Sequence, residues 1–61
     1  MERCILTIEG RNFTEVEDIE VFRVPAPGEP IETKYGTAVV TEAEELPLGQ
    51  HYDARIVCRL Q

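Results

Sequence analysis

Tryptophan and serine are absent from this chain, histidine occurs once, and the aromatics number four: Phe13, Phe22, Tyr35 and Tyr52. Each shortage removes something. Without serine there is no Ser-His-Asp nucleophile. His51 has no positioned partner for work as a general base. It makes no zinc site either, because Cys4, His51 and Cys58 lack the paired spacing that four-ligand sites show. Phosphate-loop and dinucleotide fingerprints are missing. No apolar run approaches the roughly 20 residues of a membrane span, and Met1 to Ile5 has nothing of a signal peptide's long apolar stretch. The expectation is a soluble, cytoplasmic protein with no membrane partner.

Positive charge is the other scarcity. Six Lys or Arg stand against twelve Asp or Glu, for a net charge of −6. Phosphate binding is driven by basic side chains releasing counterions, so nucleic acid is a disfavoured partner. The acidity itself serves solubility, or faces a basic partner.

What remains describes one small domain. A chain of 61 residues buries only about 60% of the surface its unfolded form exposes. Chains this short lean on a staple, a metal, a partner subunit or very regular packing. With 43% apolar residues the chain reads as globular, and its core rests on Ile, Val and Leu.

Alternation of apolar and polar residues marks strands. Residues 4–9 put Cys4, Leu6 and Ile8 on one face and Ile5, Thr7 and Glu9 on the other. Gly10-Arg11-Asn12 then signals a turn. Residues 15–24 form a second strand whose period breaks at Glu17-Asp18, where a β-bulge would restore it. A helix over 14–20 competes, because Thr14 and Glu17 fit a capping box. Pro25-Ala26-Pro27-Gly28-Glu29-Pro30 is a stiff surface loop, since prolines fix φ and remove donors. Ile31 to Tyr35 is a third strand, Gly36 a bulge or tight bend, and Thr37 to Thr41 a fourth strand ending in the acidic patch Glu42-Ala43-Glu44-Glu45. In this stretch Ile31, Tyr35 and Val39 or Val40 are the expected core. Leu46 to Gln50 is a loop. Tyr52 to Leu60 alternates strictly, with Tyr52, Ala54, Ile56, Cys58 and Leu60 on one side. Five short strands with regular turn signals predict an all-β fold, a small five-stranded barrel or a strongly curved antiparallel sheet.

The run Pro27-Gly28-Glu29-Pro30-Ile31-Glu32-Thr33-Lys34-Tyr35-Gly36-Thr37-Ala38-Val39-Val40, followed by Tyr52-Asp53-Ala54-Arg55-Ile56-Val57-Cys58-Arg59-Leu60, resembles the strands of SH3-like small barrels of the tudor-like and KOW-like kind. The resemblance covers residues 27–60, a little over half of the chain. Two strands that should follow the motif precede it instead, which implies a permuted barrel with the N-terminal strand beside the C-terminal one. Such barrels mostly bind proteins or nucleic acids and are not enzymes. With four aromatics, a complete cage for methylated side chains is not expected.

Candidate chemistry is sparse. Cys4 and Cys58 sit at apolar positions of the terminal strands, as small hydrophobes or, if those strands are neighbours, as a disulfide closing a long loop. The adjacent carboxylates Glu17-Asp18 and Glu44-Glu45 point to opposite faces of a strand and do not converge. No catalytic residue, cofactor or metal is expected. Arg55 and Arg59 share one face with Val57 between them, Lys34 is placed near them, and Ile5 and Val57 lie on the outer faces of the terminal strands. Ile5, Tyr35, Arg55, Val57 and Arg59 are therefore the expected partner contacts.

Three functions follow as expectations. The first is a non-catalytic protein-interaction module that self-associates as a homodimer, with any other protein partner unknown. The second is an acidic regulator, of the kind phages or mobile elements encode, that blocks a basic nucleic-acid-binding surface. It would use Glu15, Glu17, Asp18, Glu20, Glu42, Glu44 and Glu45. Its charge mimicry is loose, because same-face strand residues repeat at roughly 6.6 Å and duplex phosphates at about 3.4 Å per strand. The third is a weakly nucleic-acid-binding barrel.

Overall fold

The structure, a computed structural model, describes residues 1–47 and 51–61. The loop expected over 46–50 thus lies partly outside the described residues. Among the described residues five strands form: β1 (Glu2–Glu9), β2 (Thr14–Val21), β3 (Pro30–Thr33), β4 (Gly36–Glu45) and β5 (Ala54–Leu60). They make a single sheet in the order β2-β1-β5-β4-β3. It curls through 212°, so the fold is an all-β half-barrel. The first strand does lie beside the last, and that pair is parallel while the other three are antiparallel. The sheet is therefore mixed rather than wholly antiparallel. Among the described residues no helix is long and apolar enough to cross a membrane.

The inside of the curl follows from period-2 alternation. Cys4, Leu6 and Ile8 of β1, Ala54, Ile56 and Cys58 of β5, and Ala38 and Val40 of β4 are all at most 1% exposed. Ile19, Val21, Val24, Ile31, Ala43 and Leu60 pack around them half-buried. Pairing across strands holds these residues on one face: Leu6 lies opposite Ile56, and Ile56 opposite Ala43.

Two departures from the sequence reading concern where strand alternation changes phase. The bulge expected near Glu17-Asp18 is absent, because β2 pairs with β1 in unbroken register from Glu2↔Val21 to Glu9↔Thr14. The bulge sits in β4 instead, between Val40 and Glu42. Had alternation continued there, Glu42 and Glu44 would have followed Ala38 and Val40 into the core. The extra residue, Thr41, shifts the phase by one. Ala43 then faces inward opposite Ile56, while Glu42 and Glu44 face outward. The fourth strand, expected over Thr37 to Thr41, therefore runs on through the whole acidic patch to Glu45.

Other boundaries also move. Residues 14–20 are strand and not helix, and β2 ends at Val21 instead of continuing to 24. Tyr52 and Asp53 precede β5 and are not part of it. Tyr35 belongs to the turn after β3 and is exposed, and of the two valines only Val40 reaches the core. Gly36 follows that turn with φ 116°, a conformation that glycine adopts without steric cost. At the β1–β2 turn the Gly10 N–H donates to the Phe13 carbonyl at 2.8 Å. The Phe13 ring lies directly over Gly10, leaving no room for a Cβ.

Candidate functional site

Residues paired across neighbouring strands face the same way, so the outer face can be read from the register. Ile5 lies between Asp18 and Arg55, Thr7 between Val16 and Val57, and Glu9 between Thr14 and Arg59. Beyond β5, Val57 meets Glu42, Arg55 meets Glu44 and Arg59 meets Val39. A row Val16–Thr7–Val57 thus crosses three adjacent strands, with Ile5 beside it. Val16 is 56% exposed, while Ile5 and Val57 are half-buried.

Four of the five expected contact residues, Ile5, Arg55, Val57 and Arg59, therefore share this face. The cationic patch they were to form is already balanced. The Arg55 guanidinium donates from Nη2 to Glu42 Oε1 at 2.8 Å and from Nε to Glu44 Oε1 at 3.1 Å. The Arg59 guanidinium stands 3.9 Å from Glu9. Lys34 is not with them, and neither is Tyr35.

Those two residues lie where the sheet stops short of closing. The strands β2 and β3 are its two edges and share no backbone ladder. The unbroken register of β2 turns Glu15 and Glu17 to the inner side, opposite Ile8 and Leu6. The Lys34 ammonium meets them there, 2.7 Å from Glu15 Oε2 and 3.1 Å from Glu17 Oε2. The Tyr35 hydroxyl donates to Glu15 Oε2 at 2.6 Å, and its ring stacks at a tilt on Phe13 with centroids 5.0 Å apart. The Thr33 hydroxyl accepts from the Tyr35 N–H and donates to the Gly36 carbonyl, which holds the turn in place. The Lys34 ammonium, with the Tyr35 hydroxyl second, holds the Glu15 carboxyl below its ordinary value. The same carboxylate pushes the Tyr35 hydroxyl up.

The other end of the seam is tied by Arg23, whose guanidinium grips Glu29 through two bonds of 2.9 and 3.1 Å. The Ala26 N–H donates to the same carboxylate at 2.7 Å. Together, Arg23 first, they lower the Glu29 carboxyl to about 2. Sequence reasoning missed this clasp. Strict alternation through β2, with no bulge inserted, would have placed Glu15 and Glu17 inside. Nothing in the sequence marks the pairing of Tyr35 with a residue twenty positions earlier.

Two clefts flank these features. One, of about 390 Å³, is lined by Arg3, Asp18, Ile19 and Glu20. The other, of about 490 Å³, is lined by Gly10, Arg11, Phe13, Arg59, Leu60 and Gln61. Asp18 also accepts from the Tyr52 hydroxyl at 2.6 Å and stands 3.6 Å from Arg3. Phe22, just past β2, is 90% exposed. His51 is exposed.

Cys4 and Cys58 are free and buried. Their strands are neighbours, but Cys4 pairs with Ala54 and Cys58 with Ile8. The sulfurs' backbones are thus four strand positions apart, roughly 13 Å at the usual rise, beyond the reach of a disulfide. Burial pushes both thiols up, which keeps them protonated and poorly nucleophilic at neutral pH. Among the described residues no cluster of three or more His, Cys, Asp or Glu is placed to hold a metal ion. The outer face thus presents an apolar row between charges of both signs, and among the described residues β2 has a backbone partner on one side alone.

No protein-family model matches the chain, and neither the curated proteins nor the solved structures give a match.

Proposed function

We propose that this chain is a non-catalytic protein-binding module that works through the outer face of its sheet, with a second copy of itself as partner. The observation that carries the reading is the Val16–Thr7–Val57 row with Ile5 beside it, set between Arg3, Arg55 and Arg59 and the acids Asp18, Glu42 and Glu44. A two-fold interface places each patch against its own copy. The arginines of this face are already paired with its acids, so it can meet its own copy without net repulsion. The edges suit self-pairing poorly. Copies joined through β2 would set Glu15, Glu17, Asp18 and Glu20 against one another, and like charges directly opposite are destabilising. The β3 edge is four residues long and opens with Pro30, both devices that blunt an edge. A standard interface takes about 800 Å² from each partner, roughly a fifth of the 4227 Å² this chain exposes. The resemblance of residues 27–60 to tudor-like and KOW-like barrels also favours binding over catalysis.

The acidic-regulator reading draws less support. Five of its seven acids are already bonded within the chain: Glu15 and Glu17 to Lys34, Asp18 to Arg3 and Tyr52, Glu42 and Glu44 to Arg55. Binding of nucleic acid through Arg55 would first have to free it from two carboxylates.

Sedimentation velocity from low micromolar to about millimolar protein tests self-association. A dimer that Val16→Glu returns to monomer supports the reading. A wild-type monomer throughout the range overturns it.

A further inference from the structure

The parallel pairing of β1 with β5 brings the C-terminal ends of both strands to one end of the sheet, with Glu9 opposite Arg59. The β1–β2 turn therefore stands beside the last residues of β5. Between them lies the cleft of about 490 Å³, with Arg11, Phe13, Arg59 and Leu60 in its walls, a size common among small-molecule sites. The turn holds the aromatic wall in place. The Phe13 carbonyl accepts from the Gly10 N–H, and the Phe13 ring lies over Gly10 and tilts against Tyr35. Phe13 is still 42% exposed, and Leu60 is half-buried. The charges at this cleft differ from those elsewhere on the chain. Of its six Lys or Arg, Arg23, Lys34 and Arg55 hold carboxylates at 3.1 Å or less, and Arg3 stands 3.6 Å from Asp18. Arg11 has no ion-pair partner among the described residues. The one acid beside Arg59 is Glu9 at 3.9 Å, beyond hydrogen-bond length. In a chain with twelve acids, the two cations least engaged thus line the same cleft.

We infer that this cleft binds a small organic monocarboxylate with an aromatic body. Charge complementarity selects the anion. The Arg11 and Arg59 guanidiniums can turn their forked donors on a carboxylate, whose two oxygens match that geometry. One negative charge suits the cleft better than the two of a phosphate ester, because Glu9 borders Arg59 and the chain carries −6 overall. Acids further off are screened beyond about 8 Å at physiological salt. The body of the ligand lies against Phe13 and Leu60, where a ring meets the Phe13 ring in an offset or tilted stack. Both halves of the ligand are needed. An ion pair at exposed arginines holds weakly by itself, and two apolar side chains cover little of a ring. This inference is independent of self-association: Ile5, Thr7, Val16 and Val57 take no part, and only Arg59 borders both the outer face and the cleft.

The test is an amide NMR titration of the intact chain with hydrocinnamate. Saturable shifts should centre on Gly10, Phe13 and Leu60, with a dissociation constant of about 1 mM, the scale for a ligand of this size. Acetate lacks the body and hydrocinnamyl alcohol lacks the charge, so each should bind at least about fivefold more weakly. Arg11→Met and Arg59→Met, both at exposed positions, should each weaken hydrocinnamate about threefold to tenfold and leave the core resonances in place. Arg59→Lys should recover only part of the loss, since lysine keeps the charge without the fork. Equal binding of the alcohol, full affinity in both Met variants, shifts centred on Val16 and Val57, or no saturation by about 20 mM hydrocinnamate overturns the inference. So does a short acidic peptide that binds the same cleft at least about tenfold more tightly, because the cleft would then belong to a protein partner.

Discussion

Replacing Ile56 by alanine, with Val57→Ala as its neighbour on the opposite face, tests the register on which every statement about faces depends. Ile56 is 0% exposed and sits between Leu6 of β1 and Ala43 of β4. The substitution deletes three carbons, about 2.4 kcal/mol of transfer free energy at ~0.8 per buried carbon. Strands hydrogen-bonded on both sides limit collapse of the cavity, which brings the expected loss to about 3–4 kcal/mol, within the range for such truncations. A 61-residue chain is stable by only about 3–9 kcal/mol at the usual value per residue. Val57 is half-buried between Thr7 and Glu42 on the outer face, and its truncation should cost about 0.5–1 kcal/mol. Urea unfolding followed by far-ultraviolet circular dichroism reads both. At a slope of about 1 kcal/mol per molar urea, Ile56→Ala should lower the midpoint by more than about 2 M, or leave the chain unfolded without denaturant. Val57→Ala should lower it by less than about 1 M. A Val57→Ala loss that equals or exceeds that of Ile56→Ala would refute the reasoning, since a slip of one residue exchanges the two faces completely.

Two further outcomes follow from single positions. Gly36→Ala should cost about 1–2 kcal/mol in the same assay, wholly from backbone strain at φ 116°, because nothing lies within 4 Å of the added carbon; an unchanged midpoint would contradict the turn geometry. The Glu29 carboxyl, held to about 2 against an ordinary 4.5, binds fewer protons folded than unfolded, so its contribution is complete above pH 4.5 and is lost as pH falls toward 2. Arg23→Met should flatten the decline of stability across that window, and a decline of unchanged steepness would show that Arg23 is not its source.

The parts of the fold that were legible in the sequence are those where one face is wholly apolar. In β1 and β5, Cys4, Leu6 and Ile8, and Ala54, Ile56 and Cys58, alternate with polar or outward residues without exception. Central position in the sheet enforces that pattern, because both neighbours exclude water. At β2 the rule failed for a physical reason. An edge strand leaves part of its inner side near solvent, and Lys34 neutralises the two glutamates that alternation sends there. The reading instead moved them outward with a bulge. In β4 the strand was carried only from Thr37 to Thr41, where it met the acidic patch, because the phase change at Thr41 that turns Glu42 and Glu44 outward leaves no mark in composition. Of the candidate site, Arg55, Val57 and Arg59 could be placed together from alternation alone, and Ile5 beside them only through the resemblance that set the first strand next to the last. Tyr35 could not, since its place depends on how far the sheet curls.

The parallel pairing of β1 with β5 also sets the order in which this chain can fold. The hairpin of β1 with β2 and the run of β3, β4 and β5 are joined by short connections and close locally. The ladder that unites them pairs Cys4 with Ala54, positions fifty residues apart. Loop-closure entropy must be met before that ladder returns any stabilisation. Topologies ruled by distant pairings fold slowly, in milliseconds to seconds. Until β5 is in place, Leu6 and Ile8 have no strand neighbour on that side, so the apolar centre of the molecule is not closed until its most distant pairing forms.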